Sequence, residues 1–398
     1  MRKAVQRLDP AGVDARKNRQ IRKRGCFIVK GPNRVWSIDG HDKLSRFGFR
    51  IYGAIDAYSR YIIWCFIGHS NRTAVSVNKQ YLTAVRQLGV FPKLIRSDKG
   101  TETTLLCNSH LSLRRAEQPD LPLSKAYSYG TSTKNQRIES WWNLLANAQT
   151  DTWRAVFVDL EETGYFDGGD IDVICLQYIY MEMVTAHIQG FVRVHNTHRI
   201  RKQRNREHYL PTGRPCEMYH YPPNEIRDYG HSPPEEILTI LEEQVAAYNL
   251  DTFLTPETHN ICRQLLELGG FANSFQFSDN HREAYIYLRE ALSQYSLAHG
   301  REISVLPTPA GADKWILEHQ TTSQLKNIDS EDEIEMKVDL TDCEEDIAFD
   351  EELIVDADGE EYDMVDKGEN DESKIADMLE YTDFNCELFT DDGYLLNI

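Results

Sequence analysis

The chain has no apolar run approaching the roughly 20 residues that a membrane-crossing helix requires. Its first residues also lack the apolar stretch of a signal peptide. An intracellular protein is expected. No Cys-x-x-Cys pair occurs: Cys26, Cys65, Cys107, Cys175, Cys216, Cys262, Cys343 and Cys386 are scattered. That spacing excludes a disulfide framework or a cysteine zinc finger, and leaves thiols that read as reduced and mostly structural. A phosphate-cradling glycine loop is missing too, since Gly130 and the Gly168-Gly169 pair stand alone as turn residues. Basic residues are in the minority, with 44 Lys and Arg against 63 Asp and Glu and a net charge of -19, which at face value argues against a polyanion partner.

That objection dissolves once the charge is divided along the chain. From Asp329 to Ile398 there are 28 acids and three lysines, a net of -25, so residues 1 to 328 carry +6. A modestly basic body is joined to a strongly acidic tail. Two basic runs mark the body. Arg16, Lys17, Arg19, Arg22, Lys23 and Arg24 fall within nine positions, and such density points to phosphate contact or a nuclear address. Arg199, Arg201, Lys202, Arg204 and Arg206 form the second run, suited to positioning phosphates rather than reading bases. His195 and His198 beside it have no convincing metal-ligand spacing with Cys216.

Strand signals begin at Val35. Val35 to Asp39, Phe49 to Ala57 and Tyr61 to Ile67 are rich in β-branched and aromatic residues and read as an antiparallel meander. Val77, Tyr81, Leu82, Val85 and Leu88 share one helical face before Gly89, which reads as the stop. Leu94-Ile95 leads to Asp98 as a fourth strand, a short helix is expected next, and Ala126 to Tyr129 is the fifth strand. A helix is expected from about Asn135 through Leu145. The order β-β-β-α-β-α-β-α implies an α/β fold, a mixed five-stranded sheet flanked by helices. Residues 151 to 222 read as a helical extension whose Ile171 to Val194 stretch is apolar on nearly every turn. Pro222, Pro223, Pro233 and Pro234 read as a linker, and residues 235 to 300 as a small all-α region. The acidic tail, placed at 301 to 398, mixes acids with isolated apolar groups and is expected to be disordered, a composition that also serves partner binding.

Three acids stand where these elements present them: Asp39 at the end of the first strand, Asp98 at the end of the fourth, and Glu139 in the first turns of the helix after the fifth. If the first and fourth strands are neighbours, the two aspartates face each other and the helix brings Glu139 over the same edge. Hard carboxylate oxygens in that arrangement suit Mg²⁺ or Mn²⁺. Two such ions about 3.5 to 4 Å apart are the usual apparatus for phosphodiester cleavage and joining. Asp42 and Asp56 are rival acids; Asp56, in the second strand, is open between a structural role and a further ligand.

These segments carry a resemblance. Trp36-Ser37-Ile38-Asp39, Gly53 to Arg60, Ile95-Arg96-Ser97-Asp98-Lys99-Gly100-Thr101-Glu102 and Asn135-Gln136-Arg137-Ile138-Glu139 resemble the catalytic core of retroviral integrases and DDE transposases, which has an RNase H-like fold. Gly40 to Leu44, Tyr129-Gly130-Thr131-Ser132 and Trp141-Trp142 are similar to the integrase-core proteins of eukaryotic mobile elements. The likeness is close from Arg34 to about Leu145, within a core placed at residues 34 to 150 after a basic segment at 1 to 33.

The resemblance implies that Asp39, Asp98 and Glu139 hold two Mg²⁺ or Mn²⁺ ions. It implies DNA as partner, a homo-oligomer, and action in the nucleus. Lys134, Asn135, Gln136 and Arg137 are expected, with the second basic run, to contact nucleic acid. Lys99 departs from the asparagine frequent in these enzymes. No counterpart of the retroviral His-His-Cys-Cys module precedes Asp39, where there is one cysteine and no histidine. Those departures and the acidic tail leave an alternative, a domesticated and inactive DNA- or chromatin-binding protein that recruits partners through its tail.

Overall fold

A computed structural model describes residues 29–69, 74–98, 100–130, 135–200, 211–271 and 280–299. The basic run at 16–24, Lys99, Lys134, residues 201–206 and the tail from 301 lie outside them.

Three strands open the fold: β1 (Val35–His41), β2 (Arg50–Asp56) and β3 (Ile62–Gly68). Helix α1 (Ala74–Leu88) then leads through Gly89, at φ +66°, into β4 (Leu94–Asp98). The left-handed backbone at Gly89 explains why this helix stops there. Next come α2 (Thr104–Glu117), the single turn α3 (Leu123–Ala126) and β5 (Tyr127–Gly130). The sheet order is β3-β2-β1-β4-β5, antiparallel from β3 to β1 and parallel from β1 to β5. The expected mixed five-stranded sheet flanked by helices is therefore present.

After β5 the chain forms α4 (Gln136–Leu145), runs without interruption through a π-helical turn at Ala146–Thr150, and continues as α5 (Asp151–Glu162). The long helix α6 (Asp170–Thr197) follows, then the short α7 (Pro215–His220). Helices α8 (Glu235–Val245), α9 (Pro256–Leu268) and α10 (His281–His299) complete the described chain.

Strand alternation assigns the two faces of the sheet. Trp36 and Ile38 of β1, with Tyr52 and Ala54 of β2, join Val77, Tyr81 and Val85 of α1 and Leu106 and Leu113 of α2 in one core. Ile51 and Ile55 of β2, with Cys65 and Ile67 of β3, join Trp141 and Trp142 of α4, Phe157 of α5 and Ile179 and Val184 of α6 in the other. Aromatic packing is dense there, with Phe157 stacked on Phe49 at 5.1 Å between centroids. Asp39 belongs to the second face, being one residue out of phase with Ile38.

The helices expected to make a small all-α region at 235 to 300 are divided between those faces instead. Leu238, Leu241 and Val245 of α8 pack into the first core, where Arg86 of α1 clasps Glu235 and Glu242 at 2.7 and 2.6 Å. Cys262 and Leu266 of α9, and Tyr285, Leu288 and Leu292 of α10, pack against α6 in the second. Each helix has one apolar stripe, and a stripe is satisfied by whichever surface the fold brings opposite it.

Candidate active site

Parallel pairing sets the two aspartates. Val35, Trp36 and Ser37 of β1 lie level with Leu94, Ile95 and Arg96 of β4. Continued by two residues, that register brings Asp39 level with Asp98 on the same face of the sheet. Both strands extend beyond the paired residues here, so the carboxylates emerge where the two strands part.

Glu139 arrives on α4, and α4 is fastened to β1 at several points. Asn135, buried just before the helix, donates its side-chain amide to the Ile38 carbonyl at 3.0 Å. One turn beyond Asn135 comes Glu139, and three residues further Trp142 donates its indole N–H to Asp39 Oδ2 at 3.0 Å. The Trp142 ring stacks on His41, with centroids 5.0 Å apart and planes 18° from parallel. His41 Nε2 in turn meets Thr150 Oγ1 of the π-turn at 3.3 Å. Helical π-turns recur at functional sites because they re-aim the residues of one helix face. Here the turn places Thr150 against the strand that carries Asp39.

Space for the indole comes from Gly53, which lies opposite Asp39 in β2. A Cβ on Gly53 would sit 3.2 Å from Trp142 Cη2 and 3.0 Å from the Trp64 carbonyl oxygen, so a larger residue would make the indole or the neighbouring strand give way by a small amount. Beside Gly100, after β4, the Glu102 carboxylate lies where a Cβ would go, but as the end of a flexible side chain it can swing aside.

The electrostatics are those of acids held close together. Burial pushes the Asp39 carboxyl up to about 7; the Trp142 and Gly40 N–H groups oppose this, and the charges of Asp98 and Glu139 add to it. Asp98 is raised by burial, and Glu139 by burial and then by the charge of Asp98. Tyr52, fully buried beside Gly40, is also pushed well up by burial, and the charges of Glu102, Asp39 and Asp98 reinforce the shift. His41 falls to about 4, mainly through burial and then the charge of Lys43, so its ring is neutral at physiological pH.

The donor set fits a hard divalent cation. Asp98 Oδ1 is buried without a hydrogen-bond partner, whereas Asp39 has one oxygen held by Trp142. Such an orphaned acceptor is costly unless something positive meets it. Among the described residues, no three acidic, histidine or cysteine side chains already close on a common point. The three acids therefore share one region and one field without forming a finished cage.

The remaining expected site residues are placed as follows. Asn135 is 2 % exposed and its amide is spent on Ile38, so it is a structural tie rather than a nucleic-acid contact. Arg137 is partly exposed on α4 and Arg199 is exposed just after α6. Gln136 begins α4. Lys134, Arg201, Lys202, Arg204 and Arg206 lie outside the described residues. Asn196, at the head of the second basic run, turns inward and pairs with both the N–H and the carbonyl of Ile62, at 2.8 and 3.2 Å. Of the rival acids, Asp42 is exposed, with Arg50 at 3.7 Å. Asp56 is fully buried and accepts from Asn33 N, Ser59 N and Ser59 Oγ at 2.8, 2.8 and 2.7 Å, a structural acid that closes the β2–β3 turn.

Trp142, His41 and Gly53 are the participants that the sequence reading did not single out for the site. The available signal was the i, i+3 spacing of Glu139 and Trp142, which puts both on one helix face.

Residues 26–214 match a family model described as an integrase core domain. No curated protein matches the chain. Among solved structures, the chain is similar to one in the cryo-EM structure of the simian T-cell lymphotropic virus intasome in complex with PP2A regulatory subunit B56 gamma. That likeness has 14% identity and a TM-score of 0.33, and covers 50% of this chain. The aligned part spans 59% of the viral chain.

Proposed function

With residues 26–214 matching a model of the integrase core domain, we propose that the protein is a DDE-type polynucleotidyl transferase that cleaves DNA and transfers the resulting strand to a second DNA. The observation that carries this reading is the level placement of Asp39 and Asp98 with the Glu139 helix tied across them. Asp39, Asp98 and Glu139 would hold two Mg²⁺ or Mn²⁺ ions through carboxylate oxygens. When bound, the ions supply activation of an attacking water or 3′-hydroxyl and stabilise charge on the leaving oxygen.

The chain's own part is to hold and orient. Asp98 offers Oδ1, free of any hydrogen bond. Asp39 offers Oδ1, because Trp142 occupies Oδ2. Glu139, on a helix rather than a strand, adjusts its reach by a change of rotamer. Arg137 and Arg199, with the basic run to Arg206, would position phosphates. A homo-oligomer acting on DNA in the nucleus accords with this reading, as does a protein partner for the acidic tail.

The test uses purified full-length protein, Mn²⁺ and a nicked or branched DNA. Metal-dependent cleavage or joining is expected, and its loss in Asp98→Asn; equal activity in that variant refutes the assignment.

A second reading is DNA binding without turnover, favoured by Lys99 beside Asp98. It predicts salt-sensitive DNA binding, as phosphate contacts require, with no product under any divalent metal.

A further inference from the structure

We propose that Trp142 is a positioning residue for the acidic site, fixing which oxygen of Asp39 is presented to a divalent cation. The inference rests on the function proposed above and extends it to a residue that acts through Asp39.

The indole N–H of Trp142 is 3.0 Å from Asp39 Oδ2. With Oδ2 held by the indole N–H and the backbone N–H of Gly40 also acting on the carboxyl, the group loses its freedom to spin about the Cβ–Cγ bond; of the two donors, the indole is the one delivered by the helix that carries Glu139. The donor is itself immobilised from three sides. His41 lies parallel to the ring, Trp141 leans against it at 4.7 Å between centroids, and Gly53 lies beneath its far edge. Trp142 is 5% exposed, so water does not compete for Oδ2 from the indole side.

Placement on α4 gives this contact a second consequence. Trp142 lies three residues after Glu139, so the bond that orients Asp39 also fixes the rotation of the helix that presents Glu139. Asn135 to Ile38 at one end and Thr150 to His41 at the other keep the helix from sliding along the strand. One indole thereby couples the first and third acids. The second acid, Asp98, has no equivalent donor on Oδ1.

A charge-assisted hydrogen bond contributes more than a neutral one, and orientation of a ligating group by an outer partner typically changes metal affinity by 10- to 100-fold. Replacing Trp142 by benzothienylalanine exchanges the N–H for sulfur and keeps the ring system. Trp142→Phe is a second variant that keeps an aromatic ring and removes the donor.

Isothermal titration of full-length protein with Mn²⁺, together with metal-free thermal melting, provides the readout. Affinity about tenfold weaker in the benzothienylalanine protein, with little change in metal-free melting, is the expected result. Mn²⁺ affinity equal to wild type in a folded variant overturns the proposal. In wild type, the Trp142 indole N–H resonance should shift on Mg²⁺ addition and not do so in Asp98→Asn. A resonance indifferent to Mg²⁺ in a protein that binds the ion also overturns it, without requiring either variant to fold. If wild type binds no Mn²⁺ and Asp98→Asn behaves identically, the metal-dependent function itself fails; wild-type binding with no dependence on Trp142 refutes only the positioning role.

Discussion

Asn135 donates its side-chain amide to the carbonyl of Ile38 at 3.0 Å, so the residue before the Glu139 helix is bound to the residue before Asp39. A separation of 97 positions in sequence is thereby reduced to one hydrogen bond beside the two acids.

Loss of that tie is expected to act on both stability and the site. Asn135→Ala removes one buried hydrogen bond, at a cost of about 1–3 kcal/mol by urea denaturation. Metal-dependent DNA cleavage should fall further than the unfolded fraction accounts for, because the start of α4 is no longer referenced to β1. Unchanged cleavage in a folded Asn135→Ala protein would show that the tie serves stability alone.

The elevated acids give the site a pH signature. Folding raises Asp39 from its ordinary value to about 7, so between about pH 4 and pH 7 the folded chain holds a proton that the unfolded chain has released. Metal-free stability from this group is therefore present at low pH and lost as pH rises through that window. Mn²⁺ competes with the proton, so thermal stabilisation by Mn²⁺ should be larger at pH 8 than at pH 5.5. Asp39→Asn should remove most of that difference; melting curves with and without Mn²⁺ at the two pH values measure it.

Asp56 should behave as a structural acid. Asp56→Ala leaves the Asn33 and Ser59 N–H groups without their acceptor, and a loss of about 2–4 kcal/mol is expected from several broken buried bonds. Mn²⁺ affinity of the folded fraction should stay at the wild-type value. A selective loss of affinity would return Asp56 to the ligand set.

Helix α8 should unfold with the α1–α2 layer on which it packs. Leu238 is 1% exposed in the α1–α2 core whereas Ile240 is 55% exposed. Leu238→Ala is expected to cost about 2–5 kcal/mol, and Ile240→Ala no more than about 0.5 kcal/mol. Denaturation followed by circular dichroism and by tryptophan fluorescence should give coincident transitions. A separate early transition for Leu238→Ala would show that α8 is an independent unit.

Sequence by itself determined the five strands, the helix after each crossover and the order in which Asp39, Asp98 and Glu139 appear. Those signals are local: β-branched and aromatic runs, a glycine stop after Leu88, and apolar residues recurring every three or four positions. They also identified Trp141-Trp142 as part of a resemblance without assigning the second indole a task. Only the tertiary structure decided that Trp142 donates to Asp39, that Asn135 is spent inward on Ile38, and that Asp56 is closed off by its own turn. It likewise divided α8 from α9 and α10 between opposite faces of the sheet. A hydrogen-bond partner or a packing surface is chosen by residues far away in sequence, and an apolar stripe or a carboxylate has the same local pattern whichever partner it meets.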